Sequence, residues 1–339
     1  MDYTLPLISI LVPIYGVEKY IERCARSLFE QSYPNLEFVF VDDASPDKSV
    51  EILQQVINDY PKWDDHVSII RHDKNYGIAA TRNTLVKNSR GEFLLHVDSD
   101  DWIEPNTVEL FVKKQNETNA DIVTGSYISH IIKDGSEKTR RWIAPDNDRL
   151  ETLKGMLKFG SVVASWNRLI RSSLYHDNNI RCVEGIDAGE DKIITPRLIY
   201  YSRKVATCDS ITYHYNRNNT HSYVNTLPHN LDIQLQLIRA CQVNVEYFRD
   251  KETYLYEAAN QELVERLKKI LELNFKNKYR QGYNTMLAML DETDRKYWHL
   301  IGWDRPRRRW LDHHYYLRKS YLLQVLRTAK CKYNKIIQK

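Results

Sequence analysis

Short apolar runs alternate with amphipathic segments through the first hundred residues of the chain. The apolar runs have the length and unbroken hydrophobicity of strands that are buried on both faces, and they occupy residues 7–14, 36–41, 67–71 and 91–97. The segments between them carry apolar residues three or four positions apart, as helices with one buried face do, and they occupy residues 18–31, 47–60 and 78–88. This alternation predicts an α/β fold with a doubly wound sheet whose four early strands run parallel.

The pattern changes along the rest of the chain. Further predicted elements are a helix to residue 116, a strand at 120–125, strands at 164–170, 206–208 and 211–215, and a helix at 191–200. Residues 130–150 are polar, which predicts a hairpin or a surface loop. Beyond Pro228 we find only helical patterns, such as Glu257 to Leu273. We therefore expect an α/β domain over residues 1–225 and a helical extension over residues 226–339.

The composition is that of an ordinary soluble globular protein. Of the 339 residues, 42% are hydrophobic and 28% are charged. No stretch approaches the ~20 apolar residues that span a bilayer, and the first residues do not resemble a secretory signal. The five cysteines are scattered without metal-binding spacing, which is typical of a reducing compartment. These features predict a cytoplasmic location.

The basic residues concentrate near the C-terminus. Residues 305–339 hold eleven Lys or Arg and one Asp, a net charge of +10, so the rest of the chain carries −6 of the overall +4. Aromatic and aliphatic residues interleave with these cations, as in amphipathic helices that lie on anionic membranes. One interpretation is peripheral attachment to the inner membrane face, and the other is a helix packed on the domain with a solvated basic face. No nucleic-acid-binding motif accompanies the charge, so nucleic acid is not an expected partner.

The fourth predicted strand ends in three carboxylates. Asp98 and Asp100 are two residues apart, so an extended chain points both side chains to the same side. Neighbouring carboxylates repel unless a cation or a donor lies between them, and oxygen ligands suit Mg²⁺ or Mn²⁺. Because parallel sheets bind ligands beyond the carboxyl ends of their strands, the sequence predicts a divalent metal that could meet a phosphate there. Asp101 has a simpler interpretation, as the cap of a helix after Trp102.

Each early strand ends in a polar or conformationally unusual turn. The chain has the motifs Ile10–Tyr15 (ILVPIY), Val41–Asp47 (VDDASPD), Gly77–Asn83 (GIAATRN), Val97–Trp102 (VDSDDW) and Gly189–Asp191 (GED). Together these motifs resemble those of family 2 glycosyltransferases. The resemblance covers residues 7–225. It implies the GT-A fold, a Rossmann-like mixed and mostly parallel sheet with helices on both faces, and sugar transfer from a nucleotide diphosphate with inversion.

The resemblance implies a nucleotide site at the strand ends. By matching positions, the predicted nucleotide contacts are Pro13, Tyr15, Asp43, Arg82, Asp98 and Ser99. Tyr15 is expected to stack on the base, and Asp43 to accept a base N–H, which favours uracil. Asp98 corresponds to the ribose contact and Asp100 to the direct metal ligand. A divalent ion there would stabilise the diphosphate leaving group as a Lewis acid.

The resemblance also implies an acceptor site at Glu190 and Asp191, where Asp191 is the catalytic base. Inversion requires one carboxylate to take the proton of the acceptor hydroxyl during attack on the sugar. Without the resemblance, the same two residues have an equally good interpretation as dipole-matched charges at the start of a helix.

Three aromatic or basic residues complete the predicted contacts. Trp166, in a stretch that resembles the sugar-binding side of the family, could stack on a sugar or belong to the core. His214 is either a metal ligand or a satisfied strand histidine. Arg217 is expected to contact phosphate, because a guanidinium matches phosphate oxygens. Departures from the usual family residues occur at Gly16, Ala44 and Arg168.

The expected activity is transfer of a hexose-type sugar from a UDP-sugar to a saccharide or lipid-linked saccharide, in cell-surface polysaccharide synthesis, with Mg²⁺ or Mn²⁺ as cofactor.

Two alternatives stay open. A nucleotidyltransferase acting on sugar phosphates also uses strand-end carboxylates and a metal, although a Gly-rich basic loop is missing near the N-terminus. A non-catalytic sugar-binding homologue would keep the fold and lose the base or the metal ligand, and this chain has candidates for both.

Overall fold

The computed structural model describes residues 5–133, 136–144, 148–157, 162–219, 226–291 and 293. The strands are β1 Ile8–Ile14, β2 Leu36–Asp42, β3 Val67–Arg71, β4 Phe93–His96, β5 Trp102–Ile103, β6 Ile122–Lys133, β7 Ser136–Trp142, β8 Arg168–Arg171 and β9 Val205–Asn216. The helices are α1 Ile21–Phe29, α2 Ser49–Asn58, α3 Ile78–Asn88, α4 Thr107–Thr118, α5 Arg149–Met156, α6 Ser173–Asp177, α7 Glu190–Tyr201, α8 Leu231–Phe248, α9 Thr253–Lys276 and α10 Arg280–Asp291. Short 3₁₀ turns lie at Pro61–His66 and Leu227–His229.

One mixed sheet organises the fold, in the order β3-β2-β1-β4-β8-β6-β9-β5, with β7 paired to β6. The strand β1 pairs in parallel with both β2 and β4, and β2 pairs in parallel with β3. The strand β8 runs antiparallel between β4 and β6, and β6 pairs in parallel with β9. The predicted mixed sheet with parallel early strands is therefore confirmed, and these four strands end on one edge.

The apolar runs are continuous because helices cover both faces of the early strands. Every residue of β1, β2 and β4 is buried. Along β1 the side chains alternate: Ile10 and Val12 join the core that includes Leu28 of α1, whereas Leu11 joins the core that includes Leu85 of α3. A one-residue shift in register would exchange these two faces, so the hydrophobic pattern also fixes the strand pairing.

Two elements differ from the sequence-based expectation. Residues 206–208 and 211–215 belong to one strand, β9, which stays continuous because its register with β6 shifts between Gly125 and Tyr127. The strand β6 runs from Ile122 to Lys133, twice the predicted length, and forms with β7 the hairpin expected within 130–150. The extra residues, 126–133, mix polar and apolar side chains, and residues 127–131, which pair with β7, are only partly buried, so they do not form a continuous apolar run in the sequence.

The C-terminal helices of the described region pack on the sheet's helices. Phe248 of α8 and Leu255 of α9 belong to the same core as Leu11 of β1. A buried ion pair joins Lys192 of α7 to Glu262 of α9. The helical character predicted after Pro228 is confirmed there, and the domain boundary near residue 225 stays a prediction. No helix in the described part of the chain is long and apolar enough to cross a bilayer. The basic tail, 305–339, lies outside the described residues.

Candidate functional site

The turn after β4 places Asp98 beside a buried arginine. The N–H of Asp98 donates to the hydroxyl of Tyr213, on β9, at 3.1 Å. Arg82, on α3, is 3% exposed and donates from Nη2 to Oδ1 of Asp98 at 2.9 Å. The Asp98 side chain keeps 26% of its surface exposed. One carboxylate is thus neutralised by a cation and remains open to a ligand.

Asp100 lies deeper in the same turn. Burial and the neighbouring charge of Asp98 raise the pKa of Asp100 to about 6, and a hydrogen bond from Asn219 opposes this rise. That bond joins Nδ2 of Asn219 to Oδ2 of Asp100 at 3.0 Å. A buried carboxylate beside a second carboxylate is stabilised by a nearby cation. Asp100 therefore has the environment expected of a metal ligand.

The interpretation of Asp101 as a helix cap is wrong. Residues 102–103 form β5, which pairs with β9, and the next helix starts only at Thr107. Asp101 is fully buried and accepts from the Tyr213 hydroxyl at 2.6 Å and from the N–H of Asn216 at 2.7 Å. Its carboxylate therefore ties β9 to the strand-end turn. We call Asp98, Asp100 and Asp101 the strand-end carboxylates.

A second acidic pair, Glu190 and Asp191, opens α7; we call it the helix-start carboxylates. Nε of Arg82 donates to Oε1 of Glu190 at 3.2 Å, so the same guanidinium that binds Asp98 also binds this pair. Burial and the charge of Asp191 raise the pKa of Glu190 to about 8, and Arg82 opposes that rise. Burial also raises the pKa of Asp191, and Arg82 and Ser165 oppose this rise. Oδ1 of Asp191 is buried without a hydrogen-bond partner among the described residues. Such a carboxylate is suited to accept a proton.

The loop before α7 is held from two sides. Oδ1 of Asp187 accepts from the N–H of Ala79, in the first turn of α3, at 3.0 Å. Oε1 of Gln236, on α8, accepts from the N–H groups of Asp187 at 2.8 Å and Ala188 at 2.9 Å. Gly77 is required for this contact, because its φ is 90° and a Cβ would lie 2.4 Å from the Asp187 carboxylate oxygens. The helical extension and α3 therefore fix the position of the helix-start carboxylates.

The ends of β1 and β2 form the side predicted to bind the nucleobase. Tyr15 is 51% exposed, so its ring is accessible to a planar ligand, whereas Pro13 and Ser99 are buried. Ala44 adopts a φ of 57°, a left-handed conformation that favours glycine. The nucleotide roles of these residues stay predictions.

Asp43, predicted to accept a base N–H, is engaged within the protein. Its Oδ1 accepts from the N–H of Tyr76 at 2.9 Å and from Nδ1 of His72 at 2.7 Å. Its Oδ2 accepts from the N–H of Gly77 at 2.8 Å. Because a carboxylate oxygen has two lone pairs, Oδ2 keeps one for a ligand. Asp43 thus shapes the loop before α3, and a base contact would use the remaining lone pair.

His214 has a partner for each ring nitrogen. Nε2 meets Oε1 of Glu104 at 2.7 Å, and Nδ1 meets Nε2 of His130 at 2.9 Å. Nδ1 of His130 in turn meets Oε1 of Glu137 at 2.8 Å. The His214 ring also stacks on Trp102, with centroids 4.9 Å apart. This arrangement favours the satisfied strand histidine over the metal ligand.

Trp166 is buried, whereas Arg217 is exposed. Trp166 is 7% exposed and stacks on Tyr213 and Tyr215, with centroid distances of 4.3 Å and 5.4 Å. This packing leaves little indole face for a sugar and agrees with the core interpretation. Arg217 follows β9 directly, and its side chain is exposed. Its contact with phosphate stays a prediction.

Several residues that build the site escaped the sequence analysis. They are Tyr213, Asn216, Asn219, Asp187 and Gln236. Tyr213 and Asn216 lie within a segment that resembles the family, but their link to Asp101 requires the pairing of β5 with β9. Gln236 lies in a helix whose sequence pattern indicates only an amphipathic element. No local signal in the sequence could have linked it to the helix-start carboxylates.

Comparison with known proteins identifies relatives of the α/β region. Residues 9–177, half of the chain, match the family described as Glycosyl transferase family 2. The chain is 32% identical over 219 residues to the glycosyltransferase GlyA of Streptococcus pneumoniae, covering 61% of this chain and 30% of that protein. It is 31% identical over 221 residues to the putative glycosyltransferase EpsH of Bacillus subtilis, covering 62% and 60%. The matched region thus spans less than two thirds of either relative.

Solved structures share the fold at low sequence identity. The crystal structure of Staphylococcus aureus TarS 1–349 with UDP-GlcNAc superposes with a TM-score of 0.55 at 18% identity, covering 86% of this chain and 92% of that one. A Pyrobaculum calidifontis mannosyltransferase in complex with GDP-Man and Mn²⁺ gives a TM-score of 0.52 at 15% identity, covering 94% and 87%. These similarities confirm the predicted GT-A fold with C-terminal helices.

Proposed function

The chain belongs to glycosyl transferase family 2, and from this premise we propose that it is an inverting glycosyltransferase. It moves a hexose-type sugar from a UDP-sugar to a saccharide or lipid-linked saccharide, in the synthesis of a bacterial cell-surface polysaccharide. One observation carries the proposal: Arg82 binds Asp98 and Glu190 at once, so a site for the leaving nucleotide adjoins a site for a base.

The strand-end carboxylates would hold the leaving group. Among the described residues no group of three or more His, Cys, Asp or Glu side chains is arranged to bind a metal alone. Mg²⁺ and Mn²⁺ fit Asp100 nevertheless, because such ions are often held by one or two carboxylates together with substrate phosphates. The raised pKa of Asp100 agrees with this fit, since a cation would relieve the unfavourable burial of its charge. When bound, the ion would stabilise the negative charge of the departing diphosphate.

The helix-start carboxylates would serve the acceptor. Asp191 takes the proton of the acceptor hydroxyl, for which its raised pKa and the buried, unpartnered Oδ1 suit it. The pKa values of Glu190 and Asp191 are both raised, so the coupled pair favours the uptake of a proton. Arg82 keeps the two sites in register through its rigid guanidinium.

The relatives support a UDP donor and a surface-polymer acceptor. TarS is named a poly(ribitol-phosphate) β-N-acetylglucosaminyltransferase and was solved with UDP and UDP-GlcNAc. A Bacillus spizizenii relative, 31% identical over 227 residues, is a poly(ribitol-phosphate) β-glucosyltransferase. Tyr15 and the free lone pair of Asp43 would receive the uracil of the donor.

Calorimetric titration with UDP-, GDP- and dTDP-sugars, with and without Mn²⁺, tests the donor. We expect UDP-sugars to bind at least tenfold more tightly than the others. Their full affinity should require Mn²⁺. Transfer should then release UDP. Release of pyrophosphate would indicate a nucleotidyltransferase, and UDP-sugar binding without any turnover on candidate acceptors would indicate a non-catalytic homologue.

The basic tail at residues 305–339 would attach the enzyme to a membrane that carries a lipid-linked acceptor. Its net charge of +10 suits anionic lipids. Flotation of the full-length chain with anionic liposomes, compared with a variant ending at residue 304, tests the attachment. We expect only the full-length protein to float, and equal partitioning of both forms would contradict the proposal.

A further inference from the structure

A cavity of about 170 Å³ is lined in part by Arg82, the residue that joins the two carboxylate sites. It opens between the C-terminal half of α3 and the segment that follows α6. The lining residues are Arg82, Asn83, Val86, Lys87, His96, Tyr175, His176, Asn179, Ile180, Arg181, Cys182 and Ile194. Its volume is below the roughly 300 Å³ at which pockets for drug-sized ligands begin, so a nucleotide sugar does not fit.

The charged residues that line this cavity are cations. Lys87 and Arg181 are exposed at its mouth, and Arg82 is buried. The lining residues include no Asp or Glu, although Arg82 is paired with Asp98 and Glu190 outside the lining. The attraction for anions therefore comes chiefly from Lys87 and Arg181.

Two buried nitrogen atoms in the lining residues lack partners. Nη1 of Arg82 makes no hydrogen bond with any described residue, although its Nε and Nη2 are both engaged. Nδ1 of His96 is also unpartnered, and Nε2 of the same ring lies 3.2 Å from the Tyr175 hydroxyl. His96 is fully buried and Arg82 nearly so, and buried donors without partners cost free energy unless a ligand or water satisfies them.

We propose that this cavity binds a small oxyanion, inorganic phosphate or a phosphate monoester. Nη1 of Arg82 donates to the anion. His96 also donates, from Nδ1, in the tautomer whose Nε2 accepts from the Tyr175 hydroxyl. Lys87 and Arg181 attract the anion at the mouth of the cavity. A guanidinium matches tetrahedral oxyanions, and the cavity holds one such group with its water.

The site would regulate the enzyme through Arg82. An anion on Nη1 competes for the charge that Arg82 shares between Asp98 and Glu190, so it would weaken nucleotide binding at the strand-end carboxylates. We expect a reduction in UDP affinity of about fivefold, the lower end of common coupling between sites. The weakening is reciprocal, because UDP would reduce the affinity for the anion equally.

The test is thermal unfolding and UDP titration of the full-length protein with millimolar inorganic phosphate, at constant ionic strength. Lys87→Glu/Arg181→Glu removes the positive mouth, and Lys113→Glu/Arg239→Glu makes the same change of net charge at exposed positions that do not line the cavity. We expect phosphate to raise the melting temperature and weaken UDP binding in the wild type and the second variant, and to do neither in the first. Glycerol phosphate in a parallel titration distinguishes the ester from the free ion.

Two results would overturn the proposal. The first is a phosphate effect of the same size in Lys87→Glu/Arg181→Glu, which would place the anion at the nucleotide site or elsewhere. The second comes from crystals soaked in selenate, whose anomalous signal locates the ion directly. A peak within hydrogen-bonding distance of Arg82 and His96 is expected, and peaks only at other positions contradict the site. This readout does not depend on whether the protein binds UDP.

Discussion

The strand-end and helix-start carboxylates differ in how the protein compensates their charge. At the strand end, Asp98 receives Arg82, Asp100 receives Asn219, and Asp101 receives two donors from β9. At the helix start, Glu190 receives the second branch of Arg82, and Oδ1 of Asp191 is buried without a hydrogen-bond partner among the described residues.

This difference indicates which chemistry suits each site. At the strand end, protein donors hold each carboxylate in place, and the raised pKa of Asp100 indicates that a cation would be favourable there, which suits a metal and a diphosphate. At the helix start, Asp191 has a raised pKa and a buried oxygen without a hydrogen-bond partner among the described residues, which suits a general base. Arg82 contacts both groups of carboxylates. Variants of the strand-end carboxylates and of the helix-start carboxylates should therefore separate nucleotide binding from proton transfer.

Replacing Asp191 by Asn should have the largest effect. The substitution keeps the shape of the side chain and removes its ability to take the acceptor proton, so transfer should fall by about 10³-fold or more. The assay is UDP release in the presence of acceptor. A rate within tenfold of the wild type would show that another group is the base. Asp209→Asn is the matched control, because Asp209 is exposed on β9 and the substitution changes the charge equally.

Replacing Arg82 by Lys should have the second-largest effect on activity. Lysine keeps the charge but cannot bind Asp98 and Glu190 together. Because two charge-assisted hydrogen bonds of about 1.5 kcal/mol each would be lost, we expect kcat/KM to fall by about 10²-fold. Arg203→Lys is the control, because Arg203 is 77% exposed and also pairs with a buried carboxylate, that of Asp121. Equal rates for Arg82→Lys and the control would show that the bridge is dispensable.

Replacing Asp101 by Asn should have a smaller effect, because Asp101 acts on the position of its neighbours. The bond from the Tyr213 hydroxyl would be lost, and we expect kcat to fall by about tenfold, corresponding to ~1.4 kcal/mol. Tyr213→Phe removes the same bond and also the acceptor of the Asp98 N–H, so the double variant should be no worse than Tyr213→Phe alone. Additive losses would show that the two residues act separately.

Replacing Glu190 by Gln should change the stability of the fold more than the affinity for the substrates. Because the pKa of Glu190 is raised to about 8 from an ordinary 4.5, the folded state holds a proton that the unfolded chain releases. The wild type should therefore lose stability as the pH rises from 4.5 to 8. Glu190→Gln should melt a few degrees higher at pH 8 and at the same temperature below pH 4.5, by calorimetry. A lower melting temperature at pH 8 would contradict the shift.

The sequence sufficed for the parts of this account that depend on local patterns. The four early strands, α3 and the two acidic motifs follow from apolar runs, helical spacing and short-range motifs. The bridge through Arg82 could not be predicted, because it joins residues on α3, after β4 and on α7, which only the folded sheet brings together. Asp101 was misinterpreted for the same reason: its partners lie on β9, and a local rule for helix caps cannot detect a strand pair.

The most direct test of the division between the two sites is UDP titration, with and without Mn²⁺, of the wild type, Asp100→Ala and Asp191→Asn. We predict that Asp191→Asn binds UDP with the affinity of the wild type and the same dependence on Mn²⁺ while it transfers no sugar. Asp100→Ala should lose the Mn²⁺-dependent part of UDP binding. Loss of UDP binding in Asp191→Asn, or unchanged Mn²⁺-dependent binding in Asp100→Ala, would contradict the account.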